Sequence, residues 1–110
     1  MKRFFSLFPG LVVAGGVLTQ APNPENDAWE FSCRVGSPVY ATIDGVSRES
    51  YTGQMGRQIT IEGPQGRAYY AHLGTVKPGV REVKEGDVIG TCGNTGSWST
   101  GPHVHYEFER

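Results

Sequence analysis

A chain of 110 residues with a net charge of −1 has material for one core and not two, and its scattered positive charges exclude the basic stripe that a nucleic-acid surface needs. Sixteen glycines, seven prolines and no long Ala/Leu/Glu/Lys stretch favour short strands joined by turns over helices. Cys33 and Cys92 are the only cysteines, and without a CxxC they exclude a zinc-finger framework. They could form a disulfide in an oxidising compartment or be two buried thiols.

The chain opens with Lys2 and Arg3 before an apolar run, and Thr19 and Ala21 form a weak cleavage pattern, which is the layout of a secretory signal. Pro9, Gly10, Gly15 and Gly16 interrupt the run, and its roughly 15 residues are too few to span a bilayer, so no transmembrane span is expected. The favoured reading is an apolar arm over 1–10, whose "FFSLF" wants a partner surface, and a first strand over 11–19 that begins a single domain covering 11–110.

Strand signals then recur at short spacing. "SPVYAT" (37–42) leads to the tight-turn dipeptide Asp44-Gly45 and to "VSRES". "RQITIEG" (57–63) alternates with Ile59 and Ile61 on one face, "GPQG" turns, and "RAYYAHL" (67–73) returns, which predicts a hairpin. Residues 76–91 read as a loop with a Pro-Gly turn and then one short strand. Residues 93–102 read as a glycine-rich loop, and "HVHYEFE" (103–109) as the last strand. The expected fold is all-β, one compact antiparallel sheet or sandwich.

On that last strand residues i and i+2 share a face, so His103 and His105 project together while Val104, Tyr106 and Phe108 face the other way to pack. His72, in "YYAHL", lies on a strand able to pair nearby. Three imidazoles on one side of a sheet would make a metal or acid–base cluster; the plain alternative is three separately hydrogen-bonded histidines. Trp98, in the loop before the last strand, could stack on a sugar or peptide in a groove or cover the edge of the core. Asn94 is a second groove candidate, in an Asn-Thr-Gly segment that also reads as a turn. Trp29, Tyr69 and Tyr70 read as packing residues.

"YAHL", "VKEGDVIGTCGNTG" and "STGPHVHYEFE", in that order, together with "GSPVYATIDGV" (36–46) and the hairpin "GRQITIEGPQGRAYYAHL", resemble the lysostaphin-type (LytM-like) zinc peptidoglycan endopeptidases from about Gly36 to Glu109. The resemblance implies a twisted antiparallel sheet of the duplicated hybrid motif type with a groove across one face. It implies that His105 is a metal ligand, and that His103 and His72 activate water and stabilise an oxyanion at a zinc with one open position. The other two ligands of the family come from H-x-x-x-D. Here that segment reads "NDAWE", with Asn26 for the His and Glu30 for the Asp. Glutamate can bind zinc through oxygen with its carboxylate displaced by one methylene, whereas an asparagine amide is a poor ligand beside imidazole. Asp27 would point elsewhere in an extended segment, and Cys33 is a soft candidate ligand. Zinc is therefore possible but not assured.

The resemblance thus implies a peptidoglycan endopeptidase-like domain that acts outside the cytoplasm or on a virion. The changed motif favours a catalytically degenerate domain that binds cell-wall peptide or serves as an assembly subunit, with the apolar arm meeting other subunits, as in a phage tail tip or baseplate. The alternative is an active zinc metalloendopeptidase cleaving cross-link peptides.

Overall fold

The computed structural model describes residues 11–110, and there the alternating segments become nine strands with no helix; the apolar arm at 1–10 lies outside the described residues. The strands are β1 (Val17–Gln20), β2 (Trp29–Ser32), β3 (Pro38–Tyr40), β4 (Gly45–Thr52), β5 (Gly56–Gly63), β6 (Gly66–Leu73), β7 (Arg81–Val83), β8 (Val88–Thr91) and β9 (His103–Glu109). Seven form one antiparallel sheet in the order β1-β2-β9-β6-β5-β4-β7, and β3 pairs with β8 in a second, two-stranded sheet.

Period-2 alternation decides which face of the large sheet is dry. Val104, Tyr106 and Phe108 of β9 are buried, as are Trp29 and Phe31 of β2, Ala68 and Tyr70 of β6, and Ile59 and Ile61 of β5. They pack with Val39 and Ile89 of the small sheet, so one core lies between the two sheets and the histidine-bearing face stays open. The tyrosines bring polar tips into this core and share one partner. The Tyr70 hydroxyl accepts the Thr42 N–H at 2.8 Å, and Thr42 Oγ1 lies 2.9 Å from the Tyr70 hydroxyl and 2.7 Å from that of Tyr106. The hydroxyls are thereby satisfied where leaving them alone would cost about 1–3 kcal/mol each.

The β5–β6 hairpin has the expected place, with Gly63 opposite Gly66 across the turn. Three expectations need correction. The strand expected over 11–19 is only β1: Val12 and Val13 are buried, Val13 makes a single bridge to Val39, and a turn with Gly15 at φ 67° separates them from β1. Asp44-Gly45 is not a tight turn but the end of a bend that leads straight into β4. It carries the chain from the small sheet to the large one, where Gly45 pairs with Val83 and a side chain in its place would clash with the Glu62 carbonyl oxygen. Residues 76–91 hold two short strands and not one, because β7 joins the large sheet's edge while β8 pairs with β3.

Of the two readings of the cysteines, the structure has the disulfide, Cys33–Cys92, with Cα atoms 6.3 Å apart and a sequence separation of 59. It ties the end of β2 to the end of β8, and it removes Cys33 as a metal ligand. Closing a loop of this length restricts the unfolded chain by about 4 kcal/mol in the chain-entropy description. Urea unfolding with and without reductant should therefore show a loss of roughly 2–5 kcal/mol on reduction; superimposable curves would show that the bridge does not contribute.

Candidate functional site

The central position of β9 builds the site. Its open face carries His103, His105 and Glu107. On one side β2 sets Glu30 directly opposite His105 and Ser32 opposite His103. On the other side β6 sets Ala71 opposite His105 and Tyr69 opposite Glu107. Beyond Ala71 the register slips between the Arg57 and Ile59 pairings, so an extra residue is accommodated there. This bulge holds His72 at φ 63°, a left-handed conformation that costs a non-glycine residue on the order of 1–3 kcal/mol. Its N–H donates to the Met55 carbonyl at 2.9 Å, and its ring arrives 4.8 Å from that of His103 and 6.0 Å from that of His105. The structure thus brings His72, His103, His105 and Glu30 together.

One carboxylate organises them. Glu30 Oε2 accepts from His105 Nδ1 at 2.8 Å. Glu30 Oε1 stands 3.2 Å from His103 Nε2, within ion-pair reach but without the alignment of a hydrogen bond. The other His105 nitrogen, Nε2, meets Glu107 Oε2 at 2.7 Å. Carboxylates only accept, so both ring nitrogens of His105 carry protons. Burial alone would lower its pKa, but the Glu107 and Glu30 carboxylates outweigh it and push it up to about 9. Burial alone would raise that of Glu30, and the two histidines reverse this and bring it down to about 2. His103 is raised by the Glu30 carboxylate beside it, and its Nδ1 donates to the Gly101 carbonyl at 2.7 Å. Burial lowers His72. Its Nδ1–H donates to the Thr95 carbonyl at 2.7 Å, which leaves Nε2 as the unprotonated, basic nitrogen of the ring.

The remaining predicted residues lie in different places. Asn26 sits in an exposed turn: its N–H donates to the Asn23 carbonyl, and its own Oδ1 accepts the Ala28 N–H at 3.1 Å. Asn94 Oδ1 accepts from Ser99 Oγ at 2.5 Å, which uses it to shape its own loop. Trp98 is 68% exposed and lines a cavity of about 380 Å³ with Glu30 and His103. Trp29 and Tyr70 pack in the core as expected. Tyr69 does not: it lies half-buried on the open face, with its ring edge toward His105 and its hydroxyl donating to Gln58 Oε1 at 2.5 Å. Glu107 is the site residue that the sequence reading passed over, although the i+2 rule that joined His103 to His105 extends one step further to it. Thr95 acts through its backbone carbonyl, for which no side-chain pattern gives a signal.

The residues do not assemble a three-ligand zinc set. His105 has no lone pair free while both of its nitrogens donate to carboxylates, Glu30 is engaged by two histidines, and Asn26 is held in its turn. Among the described residues no group of three His, Cys, Asp or Glu side chains is disposed to hold a metal. The cluster instead neutralises its own charge. The depressed Glu30 contributes stability above pH 4.5 that fades as pH falls toward 2, and the raised His105 contributes stability below pH 6.5 that is lost as pH rises through 9. Thermal melting should therefore peak between these windows, at about pH 4.5–6.5. In an NMR titration the His105 ring should stay protonated through neutral pH, and a His105 midpoint at or below 6.5 would refute this charge assignment.

Known proteins share both the sequence and this architecture. Residues 24–110 match Peptidase family M23. The peptidoglycan DD-endopeptidase ShyC of Vibrio cholerae is 42% identical over 85 residues, covering 72% of this chain and 19% of that protein. The chain spans about a fifth of the length of the curated relatives it matches. Among solved structures, a mutant catalytic domain of the prophage-encoded M23 protein EnpA from Enterococcus faecalis aligns with a TM-score of 0.77 at 25% identity, covering 86% of this chain and 81% of that one. The catalytic domain of lysostaphin from Staphylococcus simulans aligns with a TM-score of 0.67 at 31% identity, covering 83% and 72%. With the β-sheet architecture, the histidine cluster and the match over most of its length, the chain belongs to peptidase family M23.

Proposed function

We propose that this domain is a catalytically degenerate member of its family, which binds peptides of the bacterial cell wall along its open face without hydrolysing them. The observation that carries the proposal is the Glu30 carboxylate closed onto His103 and His105, with Asn26 turned to its own backbone. His72 and His103 then serve as groove residues, and the indole of Trp98 offers a stacking surface. The disulfide supports action in an oxidising compartment outside the cytoplasm. No helix among the described residues is long and apolar enough to cross a membrane. The prophage-encoded EnpA among the similar structures supports a place in a phage particle, such as a tail tip or baseplate that meets the wall. The apolar segment at 1–10 would supply contacts to other subunits there.

Elemental mass spectrometry of protein purified without added metal or chelator, paired with binding to and digestion of purified sacculi, tests the proposal. The expected result is zinc well below one per chain, retention on sacculi and no release of cleaved cross-link peptides. Near-stoichiometric zinc with chelator-sensitive cleavage would overturn it and leave the domain an active zinc metalloendopeptidase. The double substitution Asn26→His with Glu30→Asp should raise zinc occupancy over the parent chain, because it restores imidazole and the shorter carboxylate to the family's positions.

A further inference from the structure

The cavity beside the histidine cluster has a wall that lies outside the family match. Strand β1 precedes residue 24, yet its Thr19 and Gln20 line the same cavity of about 380 Å³ as Glu30, Trp98, Pro102 and His103. Gln20 is the direct cross-strand partner of Glu30, so the two side chains stand next to each other on the open face. Each holds a buried polar atom to which the fold gives no hydrogen bond, although Glu30 Oε1 has His103 in ion-pair reach. Gln20 Nε2 is buried with no hydrogen-bond acceptor among the described residues. Glu30 Oε1 is buried and accepts no hydrogen bond, His103 notwithstanding. Buried polar atoms are rarely left without partners, and two in one cavity, one a donor and one an acceptor, point to a ligand that supplies the complement.

We propose that Gln20 and Glu30 form a subsite that grips one residue of an extended peptide, its carbonyl oxygen accepting from Gln20 Nε2 and its N–H donating to Glu30 Oε1, with the exposed Trp98 indole packing against the neighbouring peptide groups. In an extended chain the N–H and C=O of one residue project to the same side, which matches two fixed side chains side by side. The cavity is mostly polar in its lining residues and open at Trp98, as suits an extended peptide passing over it rather than an enclosed apolar ligand. This subsite deepens the reading of the open face as a peptide groove and rests on it.

The probe is a trialanine amide, titrated into the full chain and followed by the NMR signals of the Gln20 carboxamide and the Trp98 indole N–H. Both should shift and saturate together. A depsipeptide analogue, with an ester oxygen in place of one backbone N–H at a time, should in one position bind about tenfold more weakly, the loss of a single hydrogen bond. Gln20→Leu and Gln20→Glu each remove the donor and should weaken the peptide by a similar factor, while signals away from the cavity keep their positions. Two variants of different polarity guard against a change that disturbs β1 alone. Absence of saturable shifts at Gln20 and Trp98, or binding that neither variant weakens, overturns the subsite. Sacculus binding that Q20L and Q20E leave unchanged also overturns the subsite while keeping the cell-wall reading. Peptide binding that is sensitive to Q20L, with no sacculus binding at all, keeps the subsite and overturns the cell-wall reading.

Discussion

The Glu30 carboxylate is the group on which the open face depends. It reaches across the β2–β9 pairing to one histidine through a 2.8 Å hydrogen bond and holds a second at 3.2 Å. Two imidazoles this close on one strand face would repel each other if both were charged, and an anion between them turns the repulsion into attraction. Glu107 repeats the arrangement on the far side of His105 at 2.7 Å, so one imidazolium is held between two carboxylates. Side chains of the chain itself thus gather the histidines of this face.

The framework around this cluster is stiff for reasons that lie beneath it. β9 is flanked on both sides, and its buried face carries Val104, Tyr106 and Phe108 into the core. A slip of one residue in its register would drive His103 and His105 into that core and expose the apolar residues, so the pairing that positions the site is the one that burial enforces. The Thr42 hydroxyl fastens the tyrosine tips of β6 and β9 together below the site. The disulfide fastens the end of β2 to the segment that leads into the glycine-rich loop and its Trp98. His72 sits in left-handed backbone within this frame, and its N–H and ring are both held by loop carbonyls, those of Met55 and Thr95. Strain of that kind persists only where the surroundings over-determine it.

The proposed cell-wall-binding role would draw on both ends of the face. On one side lie Trp98 and β1, and on the other Tyr69 and Glu107 lead toward Arg67, which pairs with Glu109 at 2.8 Å. Both stretches are mainly polar and open to solvent, which suits a ligand bound along its length by directional contacts rather than one engulfed in an apolar pocket.

The sequence by itself determined the all-β class, the β5–β6 hairpin, the two-faced last strand and the departure of "NDAWE" from the family's metal motif, because each of these is written in residues near one another in the chain, as period-2 alternation, turn dipeptides or motif spacing. Only the tertiary structure decided which distant residues meet. Glu30 and His105 are 75 positions apart, and nothing local says that β2 pairs with β9. Tyr69 read as packing because an isolated strand does not say which of its faces will be covered. The bulge that re-aims His72, the Thr95 carbonyl that selects its tautomer, the Cys33–Cys92 pairing and the meeting of Gln20 with Glu30 are likewise products of strand order and register, which long-range burial sets and local sequence does not.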